Sequence, residues 1–230
     1  MSLVRHKTFG KKNRPTVYYL PGYGDGKQIR KYLPHIFTLV AAGYRVVAFE
    51  YGWSILQSGD PQTLLSSLEA IVAYIKKDKK GRVVAGVYGA SLGSWLGANV
   101  LKNCDIQRGV LNSGGAHLSG AIWGAPGAWK ERQAYIDKGY SQADVQKHWK
   151  RYEPAEPGFL ENKKLLVMNS TRDGVFDIDE SRSVIAAWQA QGNDVTHVET
   201  KGLSHAKGIG RNMLRPRTVA KFFAPDISGR

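Results

Sequence analysis

Ser91, Asp173 and His205 are the three residues whose types and settings could together activate an alcohol for attack on a carbonyl carbon. The serine stands in Tyr88-Gly89-Ala90-Ser91-Leu92-Gly93, a Gly-x-Ser-x-Gly pattern that follows the apolar run Val83-Val84-Ala85-Gly86-Val87 and passes into a helix-forming stretch. On so sharp a strand-to-helix turn a serine is forced into a strained backbone conformation with its hydroxyl clear of the chain. Its neighbours must be small, because strand end and helix start nearly touch. Gly89, Ala90 and Gly93 meet that demand. The five-residue pattern alone is weak; the strand before it and the helix after it give it weight. The competing reading is an ordinary turn whose serine caps the helix.

A serine hydroxyl needs a base to take its proton and a third group to hold that base. Of the six histidines, His205 follows the last strand directly, in Gly202-Leu203-Ser204-His205-Ala206, on a loop that returns to the edge bearing Ser91. His197 alternates between Thr196 and Val198 inside that strand and reads as structural. His6 falls in a basic tail, His35 in the first helix, and His117 and His148 in a long insertion. For the acid, Asp173 follows a strand in Ser170-Thr171-Arg172-Asp173-Gly174, where Gly174 permits a tight loop. The alternative is a turn aspartate bonded to its own backbone. Asp177 and Asp179 compete, but Asp177 reads as the N-cap of the next helix, with Glu180 completing a capping box.

A tetrahedral intermediate also needs backbone N–H groups aimed at its oxyanion. Leu92 N–H, at the start of the helix after the serine, is one candidate. The second comes from the loop Leu20-Pro21-Gly22-Tyr23-Gly24-Asp25-Gly26, with Tyr23 N–H foremost and the tyrosine ring facing the pocket beside Gly22. This loop fails as a dinucleotide site, which wants glycine where Lys27 stands. It fails equally as a phosphate-binding P-loop, which wants glycine and a hydroxyl residue where Pro21 and Gln28 stand.

The elements that must position these groups alternate regularly. Apolar runs at 16–20, 44–51, 82–88, 108–112, 164–170 and 194–199 read as strands, and 29–42, 61–79, 92–102, 178–191 and 207–223 as helices. Solid apolar runs separated by helices predict an α/β fold, a doubly wound and mostly parallel sheet of about six strands covered on both faces. Such sheets bind ligands beyond the carboxyl ends of their strands. Gly22, Ser91, Asp173 and His205 all fall there. One interval, 114–162, breaks the alternation with Trp123, Trp129, Tyr135, Tyr140, Trp149 and Tyr152. We read it as a lid or cap with helices at 131–136 and 141–151, the second capped by Ser141. Trp123 and Trp129 are candidates to line a substrate pocket; the alternative is that such aromatics form the lid's own core.

With these residues in hand, the chain resembles the α/β-hydrolase superfamily over 16–223. Tyr88-Gly89-Ala90-Ser91-Leu92-Gly93 is similar to that family's nucleophile elbow, the order Ser91, Asp173, His205 to its catalytic order, and Gly22-Tyr23-Gly24 to its oxyanion loop. The resemblance implies acyl transfer to Ser91 and release by a water that His205 activates, with no cofactor and no metal. A carboxylic ester is the first expectation. A thioesterase or serine peptidase would use the same triad, and a non-catalytic ligand-binding scaffold is the competing class. Pro21 replaces the histidine often found before the oxyanion glycine, and the family's first antiparallel strands look short or absent, which suggests a compact member.

Composition bounds the rest. The 230 residues suit a single domain over 1–230. No apolar run approaches the roughly twenty residues needed to cross a bilayer, and the first residues lack the apolar core of a signal peptide. Cys104 is the single cysteine, so an intramolecular disulfide is excluded, and a cytoplasmic location is expected. The net charge of +14 is dispersed over surface segments. It mildly favours an anionic substrate; nucleic acid is not expected as a partner. The expected partner is a small-molecule ester or acyl substrate.

Overall fold

Residues with solid apolar runs become the sheet's interior. The computed structural model describes residues 4–114 and 117–225. Strands β1 (Val4–Phe9), β2 (Thr16–Leu20), β3 (Arg45–Tyr51), β4 (Val84–Ala90), β5 (Arg108–Asn112), β6 (Lys164–Ser170) and β7 (Asp194–Thr200) form one sheet in the order β1-β3-β2-β4-β5-β6-β7. Every neighbouring pair is parallel except β1 with β3. The chain runs outward from β2 to β3, then returns to the other side for β4 and the strands that follow. The winding therefore reverses between β2 and β4, where open sheets of this kind leave a crevice.

The helices are α1 (Gln28–Ala41), α2 (Ser54–Gln57), α3 (Pro61–Asp78), α4 (Leu92–Asn103), α5 (Leu118–Gly124), α6 (Trp129–Asp137), α7 (Gln142–Trp149), α8 (Ile178–Ala190), α9 (His205–Met213) and α10 (Pro216–Phe223). Successive strand residues serve opposite faces. Tyr18 and Leu20 pack with α3, α4 and α8 through Leu68, Trp95 and Trp188, whereas Val17 and Tyr19 pack with α1 and α10 through Ile36 and Phe223. Local chemistry fixes several boundaries. Asp60 caps α3 by accepting from Gln62 N–H at 2.9 Å, with Pro61 at the first helical position. Ser141 and Asp144 form a reciprocal capping box on α7.

Two expectations need correction. The sheet has seven strands rather than about six, because β1 (Val-Arg-His-Lys-Thr-Phe) carries no apolar run. It is an edge strand with four exposed central residues, and charges there discourage unwanted strand pairing. His6 accordingly belongs to β1, its ring 4.0 Å from that of Tyr74, and not to a tail. The single helix expected at 207–223 is two, divided before Pro216, whose ring and missing N–H cannot continue α9. Among the described residues, no helix is long and apolar enough to cross a membrane.

His35 sits on α1 against the sheet, 2 % exposed, with Nδ1 2.9 Å from the Tyr19 hydroxyl. Burial lowers its pKa from 6.5 to about 4. Below pH 6.5 the unfolded chain takes up a proton that the folded chain refuses until about pH 4. The stability this group sustains is therefore complete above pH 6.5 and drains away as pH falls towards 4, by about 3 kcal/mol in all. Urea unfolding of wild type and His35→Phe at pH 7 and pH 4 is expected to show a smaller pH loss in the variant. Equal losses would mean that His35 titrates normally in the fold.

Candidate active site

The turn from β4 into α4 has the strain its sequence predicts. Ser91 lies at φ 54° and ψ −123°, a region that costs a non-glycine residue about 1–3 kcal/mol. A Cβ at Gly93 would collide with the carbonyl oxygens of Leu20 and Pro21, and one at Gly89 with the backbone of Gly93. Ser91 N–H donates to Asn112 O at 2.9 Å, tying the turn to β5. The serine side chain makes no capping hydrogen bond to α4. Its Oγ instead lies 2.8 Å from His205 Nε2.

His205 opens α9 directly beyond β7, and its Nδ1 lies 2.7 Å from Asp173 Oδ2. The Asp173 side chain is 2 % exposed and that of His205 18 %. Asp173 Oδ1 accepts from Val175 N–H at 2.9 Å and Phe176 N–H at 3.1 Å. The two readings of this aspartate thus hold together: one oxygen stiffens the loop so that the other faces the imidazole. The rival acids lie elsewhere. Asp177 caps α8 through Asp179 and Glu180 N–H, and Asp179 pairs with Arg182 at 2.7 Å. His197 lies in β7 with Nδ1 3.8 Å from Glu199.

The backbone donors fall into a clear order. Gly22 N–H is already engaged, donating to the Tyr32 hydroxyl at 3.0 Å. The N–H groups of Tyr23 and Leu92 have no partner among the described residues. Both residues line a cavity of about 480 Å³ that also includes Ser91 and His205. Burial, followed by the Glu131 carboxylate beside it, pushes the Tyr23 hydroxyl far above its ordinary pKa, so it keeps its proton and donates to Glu131 Oε1.

The cavity wall is mainly apolar and differs from the expected one. Gly22 and Tyr23 line it; Trp123 and Trp129 do not. Trp123 packs against Tyr135 within the insertion, ring centroids 5.9 Å apart, and Trp129 is 57 % exposed. Their places are taken by Trp53, Phe176, Leu118 and Ile122. Trp53 was missed although it stands two residues past the carboxyl end of β3, where the same strand-end argument applies.

The insertion expected over 114–162 contains α5, α6 and α7, with residues 115 and 116 outside the described residues. Tyr135, Val145 and Trp149 are fully buried in its contact with α3 and α4. Glu153, also buried, accepts from Trp95 Nε1 and Leu118 N–H at 2.9 Å and from Ser119 N–H at 3.3 Å. It thereby joins the end of the insertion to its beginning and to α4. Among the described residues, no three acidic, histidine or cysteine side chains group so as to hold a metal.

No family model matches the chain, and no curated protein matches it in sequence. Solved structures do match in fold. A Pyrococcus horikoshii acylaminoacyl peptidase superposes with a TM-score of 0.70 at 15 % identity, covering 96 % of this chain but 38 % of its own. A Paleococcus ferrophilus monoacylglycerol lipase gives 0.62 at 16 % identity, covering 96 % of this chain and 98 % of its own. Brefeldin A esterase, a bacterial homologue of human hormone-sensitive lipase, gives 0.65 at 21 % identity over 97 % of this chain and 77 % of its own.

Proposed function

We propose, from the premise that this chain has the α/β-hydrolase fold, that it is a serine hydrolase cleaving a carboxylic ester through an acyl-enzyme on Ser91. The observation that carries the reading is the unbroken relay from Asp173 Oδ2 to His205 Nδ1 and from His205 Nε2 to Ser91 Oγ, at 2.7 and 2.8 Å. His205 takes the Ser91 proton as Oγ bonds to the carbonyl carbon. Asp173 holds the imidazole with Nε2 unprotonated beforehand and stabilises the imidazolium that forms. Tyr23 and Leu92 N–H receive the oxyanion. Collapse expels the alcohol, which takes its proton from His205. A water then gives a proton to His205 as it attacks the acyl carbon. Collapse breaks the acyl–Oγ bond, releasing the carboxylic acid as Ser91 Oγ takes that proton back from His205.

The cavity wall favours an ester over a peptide in this scheme. A bound peptide presents a backbone N–H and C=O at each residue, and each needs a partner once buried. Leu118, Ala121, Ile122, Val175 and Phe176 offer an acyl chain contact instead. We read 114–162 as a cap within one domain, and a reducing, cytoplasmic setting accords with the buried free Cys104.

A fluorophosphonate probe tests the reading. Stoichiometric labelling of wild type, abolished in Ser91→Ala, is expected. A well-folded wild type that stays unlabelled and leaves p-nitrophenyl esters of every chain length intact would make the chain a ligand-binding scaffold instead.

A further inference from the structure

One ionisable carboxyl side chain in the cavity has no part in the proposed hydrolysis. Glu131, in the first turn of α6, lines the cavity yet is 6 % exposed. Its Oε1 accepts from the Tyr23 hydroxyl at 2.9 Å and from Gln57 Nε2 at 2.8 Å. Its Oε2 has no hydrogen-bond donor among the described residues. The flanking cations point elsewhere: Arg132 donates to Trp123 O at 2.8 Å, and Lys130 lies 5.5 Å from the Trp129 ring centroid. No lysine, arginine or histidine among the described residues pairs with Glu131.

The wall around it is short of hydrogens. The Tyr23 hydroxyl has one proton but faces two acceptors at 2.9 Å, Glu131 Oε1 and Trp53 O. No lysine or arginine lines the cavity, so the net charge of +14 stays outside it. The lining therefore offers an anionic group no lysine or arginine partner. The carboxylate faces the cavity with no cationic side chain beside it, and the α6 N-terminus supplies only a partial positive charge. The Tyr23 and Trp53 rings, 4.8 Å apart at 79°, add π-faces suited to a cation.

We infer that the cavity binds a substrate bearing a primary ammonium group on an apolar stem, with Glu131 as the residue that selects it. Several N–H donors on one positive nitrogen supply both the missing charge and the missing hydrogens. The site of the reacting carbonyl rests on the hydrolase reading; the ammonium subsite does not. The substrate class is then an amino-alkyl or aminoacyl ester.

Calorimetric titration with n-hexylammonium and with 1-hexanol tests this without requiring turnover. Wild type is expected to bind the ammonium about 10- to 100-fold more tightly than the alcohol, with the advantage shrinking as salt rises. In E131Q, which keeps the Tyr23 contact and loses the charge, the two affinities are expected to converge. The ammonium should also slow fluorophosphonate labelling of Ser91. Equal affinities in wild type or a preference that survives in E131Q would each overturn the inference, as would, in a protein whose Ser91 labels, ammonium binding that leaves the labelling rate unchanged. The wild-type comparison stands even if E131Q does not fold. Failure of ester hydrolysis alone would leave the binding result intact and count only against the hydrolase reading.

Discussion

Ser91→Ala is expected to lower turnover of an activated ester about 10⁴-fold or more while the protein remains folded. In the proposed mechanism, removing Oγ removes the atom that becomes acylated, and the N–H groups of Tyr23 and Leu92 then polarise a carbonyl with nothing to attack it. Losses of this size, about 5 kcal/mol or more in transition-state stabilisation, are characteristic of residues that act as one unit. The fold itself does not depend on Oγ, since Ser91 caps nothing and its backbone is held by Asn112 O. A second substitution separates chemistry from architecture. Ser91→Gly relieves a left-handed residue at φ 54° and is expected to raise stability by about 1 kcal/mol while abolishing turnover. Burst kinetics with a p-nitrophenyl ester and urea unfolding of the same preparations provide both readings. A Ser91→Ala protein retaining a tenth of wild-type turnover would remove this serine from the chemistry.

Asp173→Asn is expected to be nearly as severe, at about 10³- to 10⁴-fold in kcat, and Asp177→Asn to be within about twofold of wild type. The loop geometry explains the first. The two N–H groups of Val175 and Phe176 select the amide oxygen of the new asparagine, as they now select Oδ1. Its NH₂ must then face His205 Nδ1, which can only accept. The imidazole proton moves to Nε2, the atom that has to receive the Ser91 proton, and the relay runs backwards. Asp177, by contrast, is a helix cap, and asparagine caps as well as aspartate does. Steady-state kinetics on both variants decides; equal large losses would move the orienting role away from Asp173.

What could be read from the residues, and what could not, divides along physical lines. The central strands were legible because burial on both faces demands a solid apolar run, as in Leu165-Leu166-Val167-Met168. β1 was not, because an edge strand with a solvated face needs no such run. The meeting of Ser91, Asp173 and His205 was legible because each follows a strand at its carboxyl end, where backbone geometry and residue type together restrict the choice. The cavity wall was not. Trp53 and Trp129 are the same residue type on the same side of the molecule, yet only Trp53 faces the cavity. That outcome depends on how α2 packs on α6, which no local pattern encodes. Glu131 illustrates the point further: in sequence it is an ordinary acidic residue in a first helical turn, and only packing withdraws it from water.

The clasp at Glu153 has a wider meaning. Leu118 and Glu153 are 35 residues apart in sequence but bonded in space, while the strands before and after them, β5 and β6, pair directly. The chain leaves the sheet and rejoins it at one clasp, while Tyr135, Val145 and Trp149 in between are packed into the same core as α3 and α4. Changes at the insertion's exposed positions would leave the β5–β6 ladder intact, whereas changes at those three would reach the body of the molecule.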